Sequence, residues 1–251
     1  MTGITTIATT EFKRLFRSPL AWSILGIMQF ILALIFLKLT DEFMITIQPN
    51  SAGLENPPGV TETVVASVYL WAGMILLAVM PLLTMRSIAE ERANKTLILL
   101  RSSPISTMDI VLGKFAALVG FILVMVMMIS LMPLSLLWGT SVDLGLTMIA
   151  ALGLFLLLGS FAAAGLFISA LSPQPTIAAL SSFGFLFFLL VLYIAGKSQT
   201  EGSEIFVYLS HFGHFLSFLK GLFDSSDLIY YVLFIVGFLV LTIRKLDNER
   251  L

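Results

Sequence analysis

The sequence predicts an all-α polytopic membrane protein with six transmembrane helices, and three observations carry that prediction. Hydrophobic residues make up 58% of the 251, charged ones only 12%, and the mean hydropathy of +1.02 belongs to the membrane class. Apolar runs come near the roughly 20 residues that a helix needs to cross a bilayer core of about 30 Å; they are Leu20 to Leu39, Val64 to Met85, Ile110 to Trp138, Leu144 to Leu171, Thr176 to Ala195 and Leu228 to Ile243. With the N-terminus inside, Lys13, Arg14, Arg17, Arg86, Arg92, Lys95, Arg101, Lys114, Arg244, Lys245 and Arg250 are inside, against Lys38, Lys197 and Lys220 outside. Lys and Arg resist translocation, so this partition places both termini in the cytoplasm. The acids lean the other way, and the net charge of −1 hides a polarised molecule.

Each element then follows in order. Residues 1–18 open with Ile4, Ile7, Ala8, Phe12, Leu15 and Phe16 at helical spacing, which predicts an amphipathic helix in the membrane interface, with Arg14 and Arg17 near anionic headgroups. Pro19 starts the first of the spans in residues 20–85, read as a retained helix and not a cleaved signal. Between Thr40 and Thr63 stand Pro49, Gly53, Pro57, Pro58 and Gly59 with acids and no base, predicting an irregular outer loop. The span block 110–195 contains two short turns, Gly139 to Asp143 and Ser172 to Thr176, the second with two prolines. Gly159, Ser160, Ala162, Ala163, Ala164 and Gly165 are small residues suited to close helix contact, including contact across a dimer interface.

Residues 86–106 are the charge-dense exception. Glu90, Glu91 and Arg92 are expected to extend the second span into the cytoplasm and present both charge signs. Asn94 and Lys95 form a turn, Thr96 is placed to cap a helix, and Leu97, Ile98, Leu99 and Leu100 make that helix apolar before Pro104 ends it. An apolar helix outside the bilayer needs a partner surface to cover it.

Residues 203–222 hold a second unusual stretch, semi-polar and too short to span twice, read as a re-entrant or interfacial helix at the outer face before the span 228–243. Its outer-gate candidates are His211, Gly213, His214, Phe215 and Gly221, the glycines serving as bends. The His pair at i, i+3 lacks a third ligand nearby in sequence and falls short of a zinc site.

Two stretches carry a family resemblance. PLLTMRSIAEERANKTLILLRSSPISTMDIVLGK, Pro81 to Lys114, and HFLSFLKGLFDSSDLIYY, His214 to Tyr231, are similar to the matching parts of ABC-2 type permeases, of the gliding-motility type in particular. The resemblance implies one ABC-2 transmembrane domain over residues 1–251, a permease subunit of an ATP-driven exporter in the bacterial inner membrane. It implies a coupling loop at residues 86–106, where Glu90, Glu91, Arg92, Thr96, Leu97, Leu99, Leu100 and Pro104 meet a cytoplasmic ABC ATPase dimer. It further implies a second permease protomer, identical or related, and allows an auxiliary subunit with an extracytoplasmic domain; lipid is the other partner, and nucleic acid is not expected. Family members commonly place Gly before the Thr, whereas Lys95 stands here, so Asn94 is expected to supply the left-handed turn.

Rival chemistries fare worse on the residues. Gly113 and Lys114 resemble the end of a P-loop, but Met108 and Phe115 replace its first glycine and its hydroxyl. No cofactor is expected on this chain; ATP and Mg²⁺ would belong to the partner ATPase. An intramembrane protease built on Glu90, Glu91 and the His pair would have the bilayer between its halves. A secondary transporter or channel-like subunit is the alternative, although Gln29, Pro81, Pro133 and scattered Ser and Thr offer little midplane chemistry. The chain has no cysteine, which removes disulfide and thiol chemistry.

Overall fold

A computed structural model describes residues 3–50, 59–96, 106–196 and 210–249. Every regular element among the described residues is helical. We number them α1 (Gly3–Arg17), α2 (Pro19–Glu42), α3 (Ala66–Thr84), α4 (Ala89–Ala93), α5 (Thr107–Ser135), α6 (Leu144–Leu171), α7 (Pro175–Gly196), α8 (His211–Leu219) and α9 (Ser225–Asn248). Six candidate spans are long and apolar enough to cross a membrane. They are built on α2, α3, α5, α6, α7 and α9.

Local chemistry sets the helix starts. Pro19 occupies the first turn of α2, where no backbone donor is missed. Ser106, Asp143 and Asp224 accept hydrogen bonds from first-turn amides of α5, α6 and α9. The Asp224 carboxyl is held below the usual carboxylate range, chiefly by the Ser226 backbone N–H and then by its hydroxyl.

α6 is the central helix: 67% of its most apolar window is buried, against 28% for α2 and 22% for each of α7 and α9. Its small residues explain this position. A Cβ on Gly165 would lie 2.3 Å from Thr84 Oγ1, and one on Gly153 would lie 2.5 Å from Phe218 Cβ. Ala162, Ala163 and Ala164 are fully buried inside the protomer. The small-residue face therefore packs α6 against α3, α8 and α9 and is not available to a dimer interface. Outside this core, Phe30 and Leu37 of α2, Leu180 and Phe187 of α7 and Leu233 of α9 are exposed apolar side chains, as a lipid-facing belt requires.

Two sequence expectations change. The loop flanks are helical: α2 continues through a widened π turn at Phe43–Ile47 and on to Asn50, and another π turn at Thr61–Val65 leads into α3. The residues Met44 to Ile47 lack a breaker, and the widened turn lies just before Pro49, which cannot donate to a regular ladder. The amphipathic helix α1 also has protein, not only an interface, under its apolar stripe. Gly3 approaches Asp109, Ile7 presses on Gly113, Phe12 on Gly120, and the Phe16 ring packs at a tilt, its centroid 5.3 Å from that of Phe121. α1 thus runs lengthwise and parallel along the first turns of α5.

Candidate functional site

At the end of the bundle rich in Lys and Arg, the chain turns sharply at Met85–Ser87 before the short helix α4. A five-residue helix cannot stabilise itself, and residues from elsewhere hold it. The hydroxyl of Ser169 on α6 accepts from the backbone N–H of Ile88 (3.1 Å) and of Ala89 (3.0 Å) and donates to the Met85 carbonyl (3.1 Å). Ser169 therefore caps a helix some 80 residues earlier in the chain. Arg92 donates through Nη2 to the Ala170 carbonyl at 2.7 Å and, from the same nitrogen, to the Glu249 carboxylate, whose oxygens lie at 2.9 and 3.1 Å, which ties α4 to the last residues described.

Glu91 does not reach outward. It is buried, and its Oε1 lies 2.5 Å from Lys114 Nζ, which in turn is 2.6 Å from Glu11 Oε1. Lys114 itself is 2% exposed. Arg14 flanks the group at 3.4 Å from Glu11, 3.8 Å from Glu90 and 3.9 Å from Glu91. The expectation that Glu90, Glu91 and Arg92 all project as a two-signed surface is thus corrected. The turn at Met85–Ser87 swings α4 back over α5, and a buried ammonium needs anionic partners. Glu90 alone of the three keeps a well-exposed side chain, 40%.

The left-handed residue is Lys95, with φ +57°, while Asn94 stays at φ −82°. Lys95 N–H donates to the Arg92 carbonyl and Thr96 N–H to the Glu91 carbonyl, the paired bonds of a Schellman turn. Lys95 thus adopts the conformation for which glycine is best suited, and the expected role of Asn94 is corrected. Thr96 likewise closes α4, its hydroxyl donating to the Glu91 carbonyl at 3.2 Å. The expected apolar helix with Leu97, Leu99, Leu100 and Pro104 lies outside the described residues.

Toward the opposite end, α8 lies inside the bundle, antiparallel to α6. His211 stacks on Phe161, Phe218 meets Gly153, and Gly221 meets Leu146. At 1.5 Å per residue, Phe161 is about 26 Å along α6 from its Leu144 end, so the start of α8 is deep in the bundle. Ser210 caps this start by accepting from Gly213 N–H. Gly213 is an ordinary helical residue and not a bend; Gly221, at φ +74°, closes the helix with a second Schellman turn.

His211 and His214 are buried among aromatic rings. His214 Nδ1 is 2.6 Å from Asp227, His211 Nδ1 is 2.9 Å from the Tyr230 hydroxyl, and Tyr231 donates to the His211 carbonyl. The carboxylate that the His pair lacks nearby in sequence is supplied by folding, 13 residues on. Phe215 packs on Gly73 of α3. Beside α8 opens a cavity of about 420 Å³ bordered by Glu62, Ser67, Leu70, Leu216, Leu219 and Lys220.

Glu11, Lys114 and Ser169 were missed as site residues. A glutamate in an amphipathic helix and a lysine at the foot of a span both read as solvated; only the 103-residue and 23-residue pairings reveal them. An unneutralised lysine seven residues into α5 was the one available signal.

The arrangement defines a helical membrane protein whose two specialised segments are anchored to one central helix. The family model described as ABC-2 family transporter protein matches residues 5–249, and the chain belongs to that family. Membership makes it a permease subunit, a membrane component that is not itself catalytic, and in general implies an ABC ATPase partner. A comparison with curated proteins finds no match.

Proposed function

We propose that the chain is the membrane-spanning subunit of an ATP-driven exporter of the bacterial inner membrane, with both termini cytoplasmic and the turn and α4 as the root of the ATPase-docking loop. The observation that carries this reading is the anchoring of α4. Through Ser169, Ala170, Lys114, Glu11 and Glu249 it is tied to α6, α5, α1 and the end of α9. A partner that moves residues 86–106 therefore moves several spans together, which is what coupling to hydrolysis needs. An isolated surface loop would absorb such a displacement in its own dihedrals.

Two protomers, identical or related, would flank the pathway, and two ATPase subunits would bind ATP and Mg²⁺ beneath them. α8, with His211, Gly213, His214, Phe215 and Gly221, is the candidate outer gate. Its deep start and its contacts with α3, α6 and α9 support that role. The likeness of Pro81 to Lys114 and His214 to Tyr231 to gliding-type permeases supports an auxiliary subunit with an extracytoplasmic domain.

Co-expression with an ABC ATPase subunit tests the docking. Leu99→Asp puts an unpaired charge into the contact at a cost of several kcal/mol if it is desolvated. The variant is expected to insert normally and to lose both co-purification and stimulation of hydrolysis. Unchanged binding would move the contact to another cytoplasmic turn, Pro173 to Thr176 first.

A further inference from the structure

We propose that the groove at the α1–α2 elbow binds the phosphodiester headgroup of an anionic phospholipid. A cavity of about 200 Å³ lies between this elbow and the basic end of α3, with Arg14, Arg86, Ser18, Glu90, Leu20 and Leu82 on its walls. Two guanidiniums from separate elements thus face one space. Arg86 makes no ion pair among the described residues. Arg14 keeps its carboxylate neighbours at 3.4 to 3.9 Å, longer than the roughly 2.8 Å of a saturated charge-assisted bond. The Ser18 side chain caps no amide of α2. With Glu90 included the polar walls carry a net single positive charge, which a phosphodiester neutralises.

The apolar walls choose lipid over a free anion. Leu20 opens the apolar run of α2 and Leu82 stands near the end of that of α3, so the groove lies where both helices would enter the hydrocarbon layer. Leu82 is 42% exposed and offers an acyl chain a way out. Its volume equals several waters at about 30 Å³ each, room for a phosphate and its ester oxygens. General attraction of basic residues to anionic leaflets would make Arg17 as effective as Arg86. The groove makes them different, because Arg17 does not line it. Arg14 is also shared with Glu11 and Glu91, so headgroup occupancy bears on the carboxylate group that holds α4.

Native mass spectrometry of the full chain in detergent, with phosphatidylglycerol and phosphatidylcholine added in equal amounts, tests this. Wild type is expected to retain one phosphatidylglycerol in preference. Arg86→Gln, at an exposed position with no ion pair among the described residues and so expected to fold as wild type, is expected to weaken it about tenfold or more, the loss of one charge-assisted contact. Arg17→Gln is expected to retain it. Equal loss in both variants, or equal retention of phosphatidylcholine, would overturn the site. Displacement of the lipid by millimolar inorganic phosphate that itself stays bound would overturn the lipid assignment.

Discussion

Replacing Lys114 with Met keeps most of the side-chain volume and removes the charge between Glu11 and Glu91. The ammonium is 2.5 and 2.6 Å from the two carboxylates, and the three side chains are 2%, 11% and 16% exposed. Charge centres about 4 Å apart attract by about 4 kcal/mol at an effective dielectric near 20, so two contacts oppose the desolvation of three ions. Deleting the shared partner leaves two buried carboxylates facing each other, and such deletions cost about 3–5 kcal/mol. For a chain of this size each kcal/mol shifts the midpoint by about 2–4 °C, which gives a fall of about 6–20 °C. Thermal unfolding in detergent, followed through Trp fluorescence, reads it. The triple variant Glu11→Gln, Glu91→Gln, Lys114→Met is expected to recover most of the loss, because no uncompensated buried charge remains; Arg14, 48% exposed, keeps water and Glu90. A Lys114→Met midpoint no lower than that of Lys13→Met, an exposed position, would refute the reasoning.

Lys95→Gly relieves a non-glycine residue at φ +57° and is expected to be neutral or to stabilise by up to about 1 kcal/mol, whereas Lys95→Val should lower the melting point. Gly165→Ala brings a methyl to 2.3 Å from Thr84 Oγ1 and 2.7 Å from Thr84 Cβ, and overpacking of this kind costs about 1–3 kcal/mol; Thr84→Ala in the same chain removes the Oγ1 clash but keeps the Cβ one, so it should restore only part of the loss, and no recovery at all would place the strain elsewhere. Single cysteines in a chain that has none test the topology: Trp138→Cys, at a 98% exposed position, should label from outside intact cells with an impermeant reagent, and Asn248→Cys only after lysis.

What the sequence made legible was what repeats locally. Hydropathy located the six spans because a helix buried in lipid or protein must be apolar over its whole length, and the small residues from Gly159 to Gly165 announced a helix that others approach closely. The ends of the Thr40–Thr63 loop were misread because Pro49 and Gly59 signal breaks, while a π turn lets the helix run on to Asn50. The sites were less legible for a different reason. Ser169 is one serine among many until the turn at Met85 is brought beside it, and Asp227 joins His214 only when α8 folds back against α9. Such pairings leave no period behind.

The two Schellman turns show how far a motif can be trusted. Gly221 was read as a bend and sits at φ +74°, where glycine carries little cost. In the ANKT stretch the same turn geometry is present without glycine, so residue preference pointed to Asn94 and the fold uses Lys95. The reason lies in the bonds on either side: the carbonyls of Glu91 and Arg92 need the N–H groups of Thr96 and Lys95, and that geometry fixes which residue must be left-handed. Glu91 is also the residue that Lys114 holds from below. The closing turn of α4 and the buried ion group therefore meet on one side chain and its own carbonyl. A displacement of the loop beyond Thr96 reaches the buried Lys114 of α5 through Glu91, while the Glu90 link to Arg14 of α1 is longer, 3.8 Å, and more exposed, and that is the physical basis for expecting the charge group, more than Glu90, to transmit the motion of any partner docked there.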